Sequence, residues 1–566
     1  MSTDPRARDQ RLLTLLAAAL VLCAFVFALQ PISSGDTYWH LTAGKTTAAH
    51  GFWWWPEPVG LTALEETTAQ RGVDLVLTPT EEPGQCLELP GGVVAEDMDG
   101  DGDVDLMFWR AEGFPALYRN DGGRFEAVPV ELGAVPEVWG RAVASIAAVD
   151  LDDDRLPEVI LVAAELVLAA PNLGGLSFGP FEVLYERSGY PRACTASLAV
   201  GDPDGDGDLD MYLPALMSAT DATFNTGTMN QEDPDSITPS PDRLLINADG
   251  TYVDRSDRVA EADATFSLVA AFTDRDGDGD QDLLSASHTP YPTLFFRNDG
   301  VEDLALVEDS VDIGFSLQVS SMGIASGDLN ADGLLDYCIS DARNNLVCML
   351  SGDAGYYGAG VALGLTTTRP PGELDWTGWS VEIVDLDNDG RLDALATAGI
   401  PPDQGLVGGS EGEGTHQDAL WRGTDSGFES IAAAVGFNSP EDHYGAAVAD
   451  LDDDGTLDII VGGYDDGPHI WSLGCTEGAW LQADLSGPPG NRLGIGARVT
   501  AEADGQVWIR EVLGPVGLGQ SSARAHLGLG DVEVLDRVEV LWADGATTEL
   551  SGVATRQRIT ITHPEG

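Results

Sequence analysis

The chain has 566 residues, with 94 acidic against 28 basic side chains and a formal net charge of −66. That length exceeds one compact core, so two or more domains are expected, and a body this acidic repels nucleic acid and anionic lipid headgroups, which excludes them as its partners. The 68 glycines and 31 prolines point to a turn-rich, all-β chain.

Arg6, Arg8 and Arg11 precede an apolar run, residues 12–29. Basic residues ahead of such a run favour a cytoplasmic N-terminus. The run is at the lower limit for a spanning helix and long for the core of a signal peptide. Residues 1–30 are therefore read as one hydrophobic helix, a signal anchor or a signal peptide. The anchor is favoured, because Ile32-Ser33-Ser34 is a poor cleavage site. Cys23 invites a lipoprotein reading, but Leu22 stands where a small residue is expected. Each reading exports the rest of the chain to the cell surface, the periplasm or the medium. Residues 31–60 are a juxtamembrane linker.

From there an Asp-rich string recurs. It reads DMDGDGDVD from Asp97, DLDDDRLPE from Asp150, DPDGDGDLD from Asp202 and DRDGDGDQD from Asp274. It continues as DLNADGLLD from Asp328, DLDNDGRLD from Asp385 and DLDDDGTLD from Asp450. Successive starts are 53, 52, 72, 54, 57 and 65 residues apart. Small-apolar runs lead in (residues 143–149 and 446–449) and apolar runs lead out (159–162 and 459–461). The string is then the hairpin between strands A and B. Turns such as Asn120-Asp121-Gly122, Asn247 to Gly250 and Asn298-Asp299-Gly300 join strands C and D. Seven A-B-C-D units predict a seven-bladed β-propeller over residues 61–478. Residues 61–73 resemble residues 428–437 and stand where the last blade lacks its strand D, so the N-terminal segment is expected to complete that blade and remove open sheet edges.

The spacing has a direct chemical reading. Positions 1, 3, 5 and 9 place oxygens around one point, position 6 makes a sharp turn, and position 7 offers a backbone carbonyl. Several hard oxygen ligands in a flexible ring suit Ca²⁺ better than Mg²⁺. The expected ligands are Asp97, Asp99, Asp101 and Asp105; Asp150, Asp152, Asp154 and Glu158; Asp202, Asp204, Asp206 and Asp210. The later loops supply Asp274, Asp276, Asp278 and Asp282; Asp328, Asn330, Asp332 and Asp336; Asp385, Asp387, Asp389 and Asp393; and Asp450, Asp452, Asp454 and Asp458. Up to seven ions are expected. The second loop is the weakest, because Arg155 stands where glycine belongs, with Pro157 and Glu158 after it. One isolated acidic turn would equally be a solvated surface; seven in phase are not.

The hairpins match the FG-GAP/VCBS type of repeat, which resembles the integrin α-subunit propeller. That resemblance implies calcium loops on one face and ligands on the other. Strand alternation gives the same division: the A-B and C-D turns share one end of the blades. The opposite end receives the two longest insertions, residues 218–243 and 401–418, with His288, His416, His443, His469, Trp139, Trp376, Trp379 and Tyr444. Long loops on one face of a rigid scaffold are where binding usually resides. These aromatics otherwise serve as caps of the blades.

Residues 479–566 carry no Asp loop. They hold NRLGIGARV from Asn491, Gln520-Ser521, HLGLG from His526, DRVEVLW from Asp536 and Asp544-Gly545. This set resembles the ASPIC/UnbV domain, and residues 60–566 as a whole resemble the cartilage acidic protein family. Ala543 stands where that family usually has proline, and Gly517-Leu518-Gly519 replaces a more polar stretch. The resemblance implies an extracellular or envelope protein linked to matrix and adhesion.

Cys338 and Cys348 flank a turn-like stretch, and a cross-strand disulfide there suits an oxidising compartment. Cys86, Cys194 and Cys475 are left without assigned partners. No metalloprotease or phosphate-loop motif occurs. Gly408-Gly409-Ser410-Glu411-Gly412 fits the nucleophile-elbow string but lies in a Gly/Glu-rich insertion, without strand-turn-helix context. The expectation is a calcium-binding module, not an enzyme, with an extracellular glycan or protein ligand. The alternatives are a polysaccharide-acting propeller enzyme using His443 and Tyr444, or a structural envelope component.

Overall fold

The computed structural model describes residues 64–565, apart from 76–90, 110–114, 130–142, 164–165, 188–192, 196, 219–238, 249, 260–264, 301–303, 342–345, 368–376, 400–416, 440, 464–466 and 475. The N-terminal apolar run and its linker, Cys86, Trp139, Trp376, residues 408–412, His416 and Cys475 lie outside the described residues.

The fold is all-β and propeller-like. Among the described residues, seven four-stranded antiparallel units follow one another. Their first strands are Val93–Glu96, Val143–Val149, Ala199–Gly201, Ser267–Thr273, Ser321–Gly327, Gly378–Val384 and His443–Ala449. These strands are small and apolar, as in VASIAAV, and Val143–Val149 is buried along its whole length. A sheet buried on both faces needs small side chains where neighbours converge. Seven apolar cores follow, each shared by two consecutive sheets. Val94, Met107 and Leu117 of the first sheet meet Ile146, Leu161 and Leu168 of the second. Ala447, Ile460 and Ile470 of the seventh meet Val93, Leu106 and Phe108 of the first, which joins the last sheet to the first.

The seventh sheet takes its fourth strand from the other end of the chain, as the sequence predicts. Leu64–Glu66 pairs antiparallel with His469–Leu473, Leu64 opposite Leu473. A one-turn helix, Thr68–Arg71, follows and ends at Gly72. The sixth sheet ends alike, with strand Gly427–Ser430, helix Ala432–Val435 and Gly436. Cys338 and Cys348 stand opposite each other and are disulfide-bonded, with Cα atoms 4.1 Å apart.

The C-terminal region forms two small sheets. Ala479–Ser486 lies between Ala525–Gly530 and Gln557–Thr562, and Arg498–Ala503 lies between Gln506–Glu511 and Val534–Leu541. Their core holds Leu481, Val499, Val538 and Trp542.

One segment of this region, residues 514–523, leaves it and runs among the first strands of all seven sheets. Gly519 and Gln520 pair in parallel with Val93 and Val94 of the first sheet. The Gln520 side chain accepts from the Ala148 amide at 2.9 Å and donates to its carbonyl at 2.6 Å. Gly514 lies against Val200, and Gly517 against Met322 and Val269. Ser521 Oγ donates to Glu382 and accepts from the Val448 amide, each at 2.9 Å. The glycines are required by close approach: a Cβ on Gly519 would stand 1.9 Å from the Ala446 carbonyl oxygen, and one on Gly514 2.5 Å from that of Val200.

Candidate metal centre

Each Asp loop is built by the same hydrogen bonds. The amide at position 6 donates to the carboxylate at position 1 in all seven, at 2.7–3.2 Å (Gly102 to Asp97, Arg155 to Asp150, Gly207 to Asp202, Gly279 to Asp274, Gly333 to Asp328, Gly390 to Asp385, Gly455 to Asp450). The amide at position 7 donates to the carboxylate at position 5 in all seven, at 2.8–3.0 Å. These bonds turn the loop inward and hold its carboxylates close.

Two left-handed residues make the turn. Position 6 has φ between +71° and +100°, glycine in six loops and Arg155 in the second. Position 4 is also left-handed: Gly100, Asp153, Gly205, Gly277, Ala331, Asn388 and Asp453. The sequence reading assigned that role to position 6 alone. Asp and Asn tolerate this region better than most side chains, which is the signal it passed over. Arg155 adopts the turn at φ +71° and donates from its guanidinium to Ser486 Oγ at 2.8 Å.

Position 9 has a second role. Its carboxylate opens strand B, is buried in every loop, and ties the hairpin to strand C. Asp105 accepts from the amides of Met98 (3.1 Å) and Asn120 (2.8 Å). Glu158, Asp282, Asp336 and Asp393 accept equivalent pairs. In the third loop Pro203 has no amide to give. Asp210 Oδ1 accepts from Asn247 at 2.7 Å, and its buried Oδ2 has no hydrogen-bond partner among the described residues.

Ligand oxygens converge within 4.8 Å in Asp97/Asp99/Asp101, Asp150/Asp152/Glu158, Asp202/Asp204/Asp206, Asp274/Asp276/Asp278 and Asp385/Asp387/Asp393. The second loop is thus assembled like the others despite Arg155. Burial, with neighbouring carboxylates adding to it, pushes Asp105 and Asp282 up to about 8 and Asp210 up to about 10. Asp385 and Asp393 are raised well above the usual carboxylate range by the same causes. Groups so placed must be protonated or share a cation. An all-oxygen set on a flexible loop, with an unpartnered buried oxygen at Asp210, fits a hard divalent ion.

The C-terminal region covers this face. Arg524 and Arg558 both donate to the Gly102 carbonyl at 3.0 Å. Arg492 pairs with Asp153 at 2.6 Å, Gln482 donates to Asp450 at 2.8 Å, and Trp508 donates to the Gly390 carbonyl at 3.3 Å. Buried Glu511 accepts from the Asp274 amide (2.8 Å) and from Ser326 Oγ (3.0 Å).

At the opposite end, the residues singled out for binding are mostly interior. Trp379 and Tyr444 are 1% and 0% exposed and pack edge to face at 4.7 Å. His443 is buried, with Nδ1 2.5 Å from Asp418 Oδ2. His288 is also buried, and among the described residues of this set only His469 is partly exposed. Strand alternation could not tell a side chain at the end of a sheet from one between two sheets. For Trp379 and Tyr444 the blade-cap alternative is the one seen.

Residues 97–161, 274–339 and 328–396 match the FG-GAP-like repeat, and residues 487–566 match the family described as ASPIC and UnbV. The chain joins FG-GAP-like repeats to an ASPIC/UnbV domain. Its repeats are of the kind found in propeller-type binding modules. No curated protein matches the chain. Among solved structures, an Agrocybe aegerita lectin described for specific recognition of non-reducing terminal N-acetylglucosamine is 14% identical, covering 67% of this chain and 93% of its own at a TM-score of 0.38. Two structures of BBS1N in complex with ARL6DN are 9% and 8% identical, each covering 71% of this chain and 97% and 98% of their own, with TM-scores of 0.38 and 0.40.

Proposed function

We propose that this chain is an exported, calcium-loaded, seven-bladed propeller acting as a binding module at the cell surface or in the matrix, in the manner of cartilage acidic proteins. The observation that carries the calcium reading is the likeness of the loops: one hydrogen-bond pattern and two left-handed residues in all seven, and carboxylate oxygens within 4.8 Å of one another in the first, second, third, fourth and sixth. Asp97, Asp99, Asp101 and their counterparts would hold the ion. When bound, the ion neutralises carboxylates that otherwise repel one another and fixes its A-B hairpin; each divalent ion would offset two of the 66 net negative charges.

Closure of the seven blades into a ring is supported by the core shared between the seventh and first sheets and by the paired strand Leu64–Glu66. Because the ASPIC/UnbV domain covers the Asp-loop face, a glycan or protein ligand is expected on the other face, where the two long insertions emerge. Binding is preferred over catalysis because His443 and Tyr444, the groups a polysaccharide-cleaving site would use, are buried. The test is a screen of the purified protein on glycan and matrix-protein arrays, with product analysis. A saturable ligand lost on deletion of residues 401–416 supports the reading. Turnover abolished by His443→Ala would overturn it in favour of an enzyme.

A further inference from the structure

The seventh loop is reached by a cation from the other end of the chain. Arg71, at the end of the helix that follows the closing strand, directs Nη2 at Asp452 and Asp458, positions 3 and 9 of that loop. The distances are 3.1 Å to Asp452 Oδ2 and 3.1 Å to each oxygen of Asp458. Ser472 Oγ accepts from the same nitrogen at 2.9 Å, and Nε donates to Thr67 Oγ1 at 3.2 Å. The side chains of Arg71 and Asp458 are 10% and 4% exposed, so this pair is largely shielded from water. Gly123, from the first sheet, closes over the site: a Cβ there would stand 2.7 Å from Asp452 Cβ and 2.9 Å from Arg71 Nη1. The position 1 carboxylate, Asp450, is itself taken by Gln482 of the C-terminal domain.

We infer that the seventh loop is not a calcium site: the Arg71 guanidinium supplies its positive charge, and the junction between the last and first sheets closes without an ion. This rests on the reading that the other loops bind calcium. A cation held by Asp452 and Asp458 would share them with a fixed positive charge and be repelled. One nitrogen, Nη2, lies 3.1 Å from both oxygens of Asp458 and from one of Asp452, so the two carboxylates share its charge. In the fourth loop Arg275 reaches the same two positions at longer range, 3.3 Å from Asp276 and 3.5 Å from Asp282, and is shared with Asp309 and the Phe295 ring. Arg71 comes instead from the segment that completes the seventh sheet, so loop charge and ring closure are handled by one residue.

The test counts calcium bound per full-length chain by equilibrium dialysis with elemental analysis. Asp99→Asn, in the first loop, should lower the count by one. Asp452→Asn should leave it unchanged, and Arg71→Gln, if folded by circular dichroism, should raise it by one. Loss of one ion in Asp452→Asn, or a folded Arg71→Gln that gains none, would overturn the inference. No calcium on the wild type overturns the loop reading itself, a result distinct from either.

Discussion

Asn120, at the end of strand C in the first sheet, donates from Nδ2 to the carbonyl of Leu451, 331 residues away in the seventh loop, at 2.8 Å. The same nitrogen donates to Val104 at 3.0 Å. Asn172 repeats this between the second sheet and Met98 of the first loop, and Asn298 between the fourth sheet and Pro203 of the third. Asn120, Asn172 and Asn298 are thus clasps on the preceding Asp loop. Asn120→Ala leaves two buried carbonyls unpaired and should cost about 1–3 kcal/mol in chemical denaturation. Asn120→Asp should cost at least as much, because a carboxylate cannot donate.

The axial segment predicts a steric result. Gly519→Ala puts a methyl 1.9 Å from the Ala446 carbonyl oxygen, so backbone must move. The loss should reach about 1–3 kcal/mol or more, with a lower melting temperature. Gly517→Ala meets nothing closer than 3.4 Å but must hold φ +65°, and should lose about 1–2 kcal/mol. Equal, negligible effects would mean that the segment does not occupy the axis.

Asp210 should behave oppositely with and without calcium. Its Oδ2 is buried and unpartnered, and burial pushes the carboxyl up to about 10. Asp210→Asn removes that ionisable group while sparing the acceptor for the Asn247 amide. In chelator the variant should melt above wild type; in saturating calcium it should melt below, having lost a ligand. Shifts of the same sign in both conditions would contradict the role assigned to it.

A pH effect is expected from Glu382, which faces Arg510 and Ser521 beside the axial segment. Burial pushes its carboxyl from 4.5 up to about 7, partly offset by Arg510 and Ser521. Between those values the folded chain holds a proton that the unfolded chain releases, so stability falls as pH rises from about 4.5 to 7. Glu382→Gln should flatten that part of the melting-temperature profile, measured at saturating calcium. An unchanged profile would show that Glu382 ionises normally.

Much of this was legible because it is local. The Asp strings, the position 6 turn, the Cys338–Cys348 pair and the strand contributed by Leu64–Glu66 all follow from short patterns. The left-handed position 4 is readable from Gly100, Gly205 and Gly277 together with Asp153, Asn388 and Asp453, while Ala331 carries no such signal. What could not be read is long-range. Nothing near Arg71 announces Asp458, 387 residues on. Nothing near Gln520 announces Ala148, 372 residues back. Trp379 and Tyr444 misled for a related reason: a large aromatic at a strand end serves a binding face and an inter-sheet core equally well in sequence.

In the proposed reading, calcium bound in the Asp loops holds their hairpins in place. Thermal melting of the full-length chain in EDTA, followed by titration of calcium, tests it directly. Extracellular calcium modules often have dissociation constants of roughly 0.1–1 mM, so the melting temperature should rise over that range and saturate. A melting temperature that does not rise by millimolar calcium would contradict the account.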